Sequence, residues 1–302
     1  MEVILHIGAH GTGTKDIRDY MRRHAEFLAS RRTGFVTSCV SHAQSAPAEF
    51  ADANDGDLHE KLAKVRKNEF DRLIVSDDDL IGTLLDNIAT GALYATADRR
   101  LRNFLQISDK QVATVLISTR SLDLYWCAAL AHGVAQGAQV PHRDRLRALA
   151  HAWRGWREVI TDMAAALPNA SVRVLPFEEY AGRPHQFLAD GLEIETVAEV
   201  PRMAGTATPA LPELRRVVNA RGLSQAVLPF GMGPWNPFTN EEHAVLREKY
   251  ADDRMWLTAG ADGLATLIED RCRDRAGQTL PPAADRKGRT DDIAERKMAR
   301  PR

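Results

Sequence analysis

The first apolar run in the chain, Val3-Ile4-Leu5-His6-Ile7, is short and bounded by polar residues, which predicts a buried strand. After a glycine-rich stretch, apolar positions recur at helical spacing from Lys15 to Ser30, with Ile17, Tyr20, Met21, His24 and Phe27 on one face. The chain therefore opens as strand, loop, helix. Ser38 to Asp57 is polar without a clear period, and a helix near Leu58 to Glu69 precedes a second strand, Arg72 to Ser76, which ends on Asp77-Asp78-Asp79. A helix near Ala95 to Gln106 leads into Val112 to Thr119, whose near-continuous apolar character suits a parallel strand covered on both faces. Arg120 stands at its carboxyl end. A helix over Leu122 to Ala135 follows, then a long amphipathic helix from Arg143 to Leu167 carrying Leu146, Leu149, Trp153, Trp156 and Ile160, and a strand from Val172 to Phe177.

Strands alternating with helices over this length predict an α/β fold, a parallel sheet flanked by helices, with ligands bound beyond the carboxyl ends of the strands. From Pro209 onward the pattern is helical, near 210–220, 239–257 and 260–272, and reads as a helical subdomain of about 205–274 within one domain spanning 1–274. Residues 275–302, rich in Pro, Arg, Lys and Asp without an apolar period, are expected to be a disordered polar tail.

Composition narrows the function classes. Lys plus Arg number 40 against 41 Asp plus Glu, so no net field draws nucleic acid or an anionic membrane, and any anion site must be local. Cys39, Cys127 and Cys272 are far apart and odd in number, which argues against a disulfide framework or a zinc site and suits a reducing cytoplasm. Val3 to Ile7 is too short for a signal-peptide core, and no run of apolar residues is long enough for a transmembrane helix, so a cytoplasmic protein is expected. Adjacent carboxylates such as Asp77-Asp78-Asp79 do not converge on one point, and no metal is expected there.

The candidate chemistry lies in His6-Ile7-Gly8-Ala9-His10-Gly11-Thr12-Gly13-Thr14-Lys15, which joins the first strand to the first helix. Glycines let backbone N–H groups turn inward and a helix start adds partial positive charge, a device suited to phosphate or sulfate, although such a turn can also be purely structural. The order of residues resembles sulfotransferases that use 3′-phosphoadenosine 5′-phosphosulfate, whose bacterial members often begin with a histidine-isoleucine-glycine strand and a lysine-threonine-glycine-threonine-threonine loop. Here His6-Ile7-Gly8 and Thr12-Gly13-Thr14 match, Gly11 takes the place of the lysine, and Lys15 that of the second threonine. Weaker likenesses run through Ile74 to Asp78, Leu175 to Tyr180, Val218-Asn219 and Phe238 to Asp253, so the resemblance covers roughly residues 3 to 260.

The resemblance implies a P-loop-like sulfotransferase fold in which His10, Gly11, Thr12, Gly13, Thr14 and Lys15 hold the phosphosulfate. It also implies that Arg120 grips the 3′-phosphate together with a serine eight residues on, where this chain has Ala128. Lys15 is expected to replace the missing lysine in part, and Asp78, with His10 and His42 in reserve, is the candidate base for a hydroxyl-bearing acceptor, either a saccharide, a lipid or a small metabolite. Asp78 also reads as a helix-capping turn, and His10 as a loop hydrogen bonder. Two further readings stand beside transfer. One is a binding protein on the same fold without catalysis. The other, a P-loop kinase, ranks last, because Gly13-Thr14-Lys15-Asp16 does not place Lys directly before Ser or Thr.

Overall fold

The computed structural model describes residues 1–37, 70–108, 111–193, 208–224 and 227–270. The helix expected near 58–69, His42 and the tail 275–302 lie outside the described residues. The described residues up to Glu269 belong to one compact unit, described below.

Six parallel strands form one sheet in the order β2-β3-β1-β4-β5-β6: β1 Glu2–Gly8, β2 Thr33–Thr37, β3 Arg72–Ser76, β4 Val112–Thr119, β5 Ser171–Pro176 and β6 Thr266–Leu267. All carboxyl ends therefore meet one edge. Alternation along β1 sorts side chains between two cores. Val3, Leu5 and Ile7 join the larger one with Leu73, Val75, Val115, Ile117 and the helices bearing Leu101, Tyr125, Trp156 and Ile160. Ile4 joins the smaller one with Ile74, Leu116, Ile17, Tyr20, Met21, Phe187 and Leu188. Helices thus flank both faces, which explains why the inner strands are apolar throughout.

The helices are α1 Thr14–Arg23, α2 Ala25–Ser30, α3 Leu84–Thr90, α4 Ala97–Ser108, α5 Leu122–Ala135, α6 Arg143–Ala150, α7 Trp156–Ala166, α8 Phe177–Tyr180, α9 Pro184–Leu192, α10 Leu211–Ala220 and α11 Asn240–Thr258. Among the described residues, none is long and apolar enough to cross a membrane. α10 and α11 make the helical C-terminal part.

Three expectations are corrected. The helix predicted over Lys15 to Ser30 breaks at His24 (φ −114°, ψ 27°), so Leu28 rather than Phe27 enters the core. The helix predicted over Arg143 to Leu167 is two helices, because Asp253 of α11 accepts from the Trp156 and Arg157 N–H groups (2.8 and 3.4 Å) and Lys249 donates to the Ala152 carbonyl (2.7 Å). Gly155 makes that approach possible, since a Cβ there would lie 2.7 Å from Asp253 Oδ2. Trp153 consequently points to solvent at 73% exposure while Trp156 is buried. The helix predicted over 260–272 is a short turn, Ala261–Gly263, with Gly260 at φ 98°, after which β6 pairs with β5. A two-residue strand has no period to read. β2, α3 and α9 were also not anticipated; α3 is opened by a capping box between Thr83 and Asp86.

Candidate functional site

The loop after β1 is a tight turn at the carboxyl edge of the sheet. Thr12 donates to the Ala9 carbonyl from its N–H (3.1 Å) and its hydroxyl (2.5 Å). Gly11 and Gly13 take φ of 74° and 81°, where a side chain strains the backbone. Gly8 has no room for a Cβ, which would fall 1.6 Å from Thr14 Oγ1. Gly13 precedes α1 directly, so the helix start lies beside the turn. Asp16 already sets a carboxylate in that first helical turn, so the helix end is a weak anion site without a nearby cation.

His10 is fixed by residues far along the chain. Its Nε2 lies 3.0 Å from Asp79 Oδ1 and its Nδ1 2.8 Å from the Tyr94 hydroxyl, which also accepts the His10 backbone N–H at 3.0 Å. An ionised Asp79 can only accept, so Nε2 carries the hydrogen and Nδ1 accepts from Tyr94. Tyr94, at φ 45°, is itself held: its N–H donates to Asn87 Oδ1 (2.9 Å) and its carbonyl accepts from Arg154 (3.0 Å). Asn87 in turn donates to the Tyr125 hydroxyl (2.8 Å). Burial pushes the Tyr94 phenol well above its ordinary pKa, so it remains a neutral donor. Both ring nitrogens of His10 are therefore engaged.

The three acids after β3 diverge. Asp77 accepts the Asp79 N–H (2.8 Å), Asp78 takes Arg18 of α1 on both oxygens (2.9 and 3.4 Å), and Asp79 takes His10. Burial pushes Asp78 up, but the Arg18 charge and its hydrogen bonds outweigh that and leave the carboxyl below its usual range. Among the described residues, no group of three or more His, Cys, Asp or Glu could hold a metal ion.

Arg120 reaches the loop from β4. Its Nη1 donates to the Gly11 carbonyl (2.8 Å), its guanidinium carbon lies 4.9 Å from the centre of the Phe177 ring, and its Nε is buried without a hydrogen-bond partner. Burial draws its pKa below the ordinary value, opposed by Glu178, Cys127 and Asp123. Phe177 is anchored by the next residue, because Glu178 accepts from the Ser121 N–H (2.8 Å) and the Tyr250 hydroxyl (3.0 Å). On α5, Ala128 faces Gly11, and His132 feels the charges of the loop. Burial holds His132 below its ordinary pKa against Glu213 of α10, aided by the charges of His10 and Arg120. Lys15 is exposed near the start of α1 with no partner among the described residues.

The structure thus brings His10, Gly11, Gly13 and Arg120 to one place and sends Asp78 to Arg18. Sequence reasoning did not single out Asp79, Arg18, Tyr94 or Phe177. Asp79 and Phe177 lay inside segments already marked, whereas Tyr94 and Arg18 carry no local signal. Two other places are chemically quiet. Burial pushes the Cys127 thiol up to about 12, far from a reactive thiolate. A cavity of about 350 Å³ lined by Leu105, Val112 and Leu167 lies at the amino end of β4, away from the loop.

No family model matches the chain, and no curated protein does. Among solved structures, the sulfotransferase from Alicyclobacillus acidocaldarius is similar over 91% of this chain and 99% of that one, at 14% identity and a TM-score of 0.43.

Proposed function

We propose that the chain is a sulfotransferase-type protein that holds the nucleotide sulfate donor, 3′-phosphoadenosine 5′-phosphosulfate, at the loop after β1 and moves its sulfuryl group to a hydroxyl of a saccharide, lipid or small metabolite. The observation that carries this reading is the Arg120 guanidinium, set against a glycine turn and a helix start with one N–H group still without an acceptor. Positioning and charge stabilisation dominate such transfers, and a glycine turn, a helix start and a planar cation supply both. In the reaction the bond from sulfur to the bridging phosphate oxygen breaks, the acceptor oxygen bonds to sulfur, the bisphosphate leaves, and the acceptor proton passes to a base. His10 to Thr14 and Arg120 hold the donor, and Lys15 neutralises the bridging oxygen. Asp78 or His10 takes the proton only after exchanging a present partner.

A second reading, nucleotide or sulfated-ligand binding without catalysis, is favoured by that last point: both Asp78 oxygens face Arg18 and both His10 nitrogens are occupied. Calorimetric titration with adenosine 3′,5′-bisphosphate beside ATP and ADP, followed by donor consumption over a panel of hydroxyl acceptors, tests both. Binding of the bisphosphate with turnover supports transfer, binding without turnover supports the second reading, and preference for ATP or ADP overturns both.

A further inference from the structure

The departures at Gly11 and Ala128 are coupled in space. A Cβ on Gly11 would lie 3.0 Å from Arg120 Nη1 and 3.9 Å from the Ala128 methyl group, so the two small residues and the guanidinium share one space. Arg120 is folded over the loop rather than along α5, pinned by the Phe177 face and by its bond to the Gly11 carbonyl. Beside it, α5 offers no hydroxyl at position 128, and the Ser121 hydroxyl is already committed to Asp123 (2.5 Å).

From this arrangement the structure assigns Arg120 to the 5′ end of the nucleotide: it is the cation of the loop itself, and the chain takes adenosine 5′-phosphosulfate or a 5′-phosphate without requiring a 3′-phosphate. The inference rests on the nucleotide reading above and narrows its ligand. The physical reason is an exchange of acceptors. Nη1 now bonds to a neutral carbonyl, and Nε bonds to nothing. A phosphate or sulfate oxygen offers a charge-assisted bond roughly twice as strong as a neutral one, and a planar guanidinium matches it through two N–H groups. Asp16 in the first turn of α1 makes such a cation necessary for an anion to bind there. A 3′-phosphate grip would need Arg120 to leave the loop and find a second donor that α5 does not provide at position 128.

Calorimetry with AMP, adenosine 5′-phosphosulfate, 3′-AMP and adenosine 3′,5′-bisphosphate separates the ends of the ligand. The parent is expected to bind the phosphosulfate and the bisphosphate within about threefold of each other, and 3′-AMP at least about tenfold more weakly. Arg120→Ala should weaken AMP and the phosphosulfate by about 10–100-fold, the scale of one lost charge-assisted bond. Arg120→Lys, which keeps charge and bulk, should recover only part of it. Should Arg120→Ala unfold, the preference of the parent among the four ligands decides alone. A parent that prefers the bisphosphate to AMP by more than about tenfold, with Ala128→Ser widening that gap, overturns the inference and leaves the nucleotide reading standing. Binding of none of the four overturns both.

Discussion

On the β3 side of the loop, His10, Asp78 and Asp79 are bonded to Tyr94, Arg18 or one another, whereas on the β4 side Arg120 keeps a buried N–H without an acceptor, and Lys15, at the start of α1, has no partner among the described residues. The two sides face the same turn. Satisfied polar networks in a low-dielectric interior rigidify what they hold, while a cation whose exposed Nη1 bonds only to a neutral carbonyl can exchange that acceptor for an anion. On the function proposed above, the β3 side therefore shapes the loop, and the β4 side binds. This division predicts that substitutions on the first side act on stability and those on the second act on affinity.

The largest stability loss is expected from Asp78→Ala. Arg18 is 9% exposed in its side chain, and breaking its two-pronged ion pair with Asp78 in that buried setting costs about 3–5 kcal/mol. Urea denaturation reads it directly. A variant as stable as the parent yet unable to consume donor would make Asp78 the base and move it to the binding side. Tyr94→Phe is next, at about 2 kcal/mol, because the His10 ring and backbone N–H both lose the hydroxyl in a buried setting. If Tyr94→Phe instead changed only nucleotide affinity, the β3 network would not be scaffold.

Acid should pull the two sides in opposite directions. His6, packed beneath the loop and bonded to Ser76 of β3, is driven from 6.5 to about 4 by burial, with Arg18 lowering it further and Asp78 opposing. The unfolded chain binds the proton first, so stability present at neutral pH is lost as pH falls through that window, by about 2 kcal/mol between pH 7 and 5. Asp253, which accepts the Trp156 and Arg157 N–H groups at the start of α7, is raised from 3.8 to about 6 by burial, with Glu158 adding to it and Lys249 and the two backbone N–H groups opposing. Here the folded chain binds the proton first, so its contribution grows by about 1 kcal/mol over the same fall. Unfolding free energies at pH 7 and 5 for His6→Gln and Asp253→Asn, each against the parent, should show slopes of opposite sign. Equal slopes would break the contrast.

β1, β3 and β4 were legible because strands covered on both faces are apolar at nearly every position, a signal that survives in one sequence. The breaks at His24 and Gly155 were not, since the apolar spacing runs through both. The second break is made by Asp253 and Lys249, 97 residues from their partners Trp156 and Ala152. The site divides the same way. Gly11, Gly13 and Arg120 announce themselves through local chemistry at strand ends. His10 could be placed in the loop, but its partners Asp79 and Tyr94 lie 69 and 84 residues away, and only the sheet order brings β3 and the α3–α4 connection against β1.

The smallest stability effect is expected from Lys15→Ala, and it is the sharpest test of the binding side. Lys15 is exposed with no partner among the described residues, so its loss should move folding stability by less than about 0.5 kcal/mol. Its place, two residues after Gly13 in the first turn of α1, puts a flexible cation beside the anion that the loop holds on the function proposed above. If Lys15 neutralises the bridging oxygen as sulfur leaves, donor turnover should fall by about 10²–10³, the scale of one transition-state charge partner, while affinity for the bisphosphate changes far less. Gly11→Lys should add little in either background. Gly11 sits at φ 74°, and a side chain there begins 3.0 Å from the Arg120 guanidinium, so an added lysine strains the turn and repels the cation already present. Donor consumption by the parent, Lys15→Ala and Gly11→Lys separates the cases: a parent that turns over normally with Lys15→Ala unaffected leaves Arg120 as the cation acting at the loop. A parent without turnover whose Lys15→Ala variant loses only affinity makes the loop a binding site.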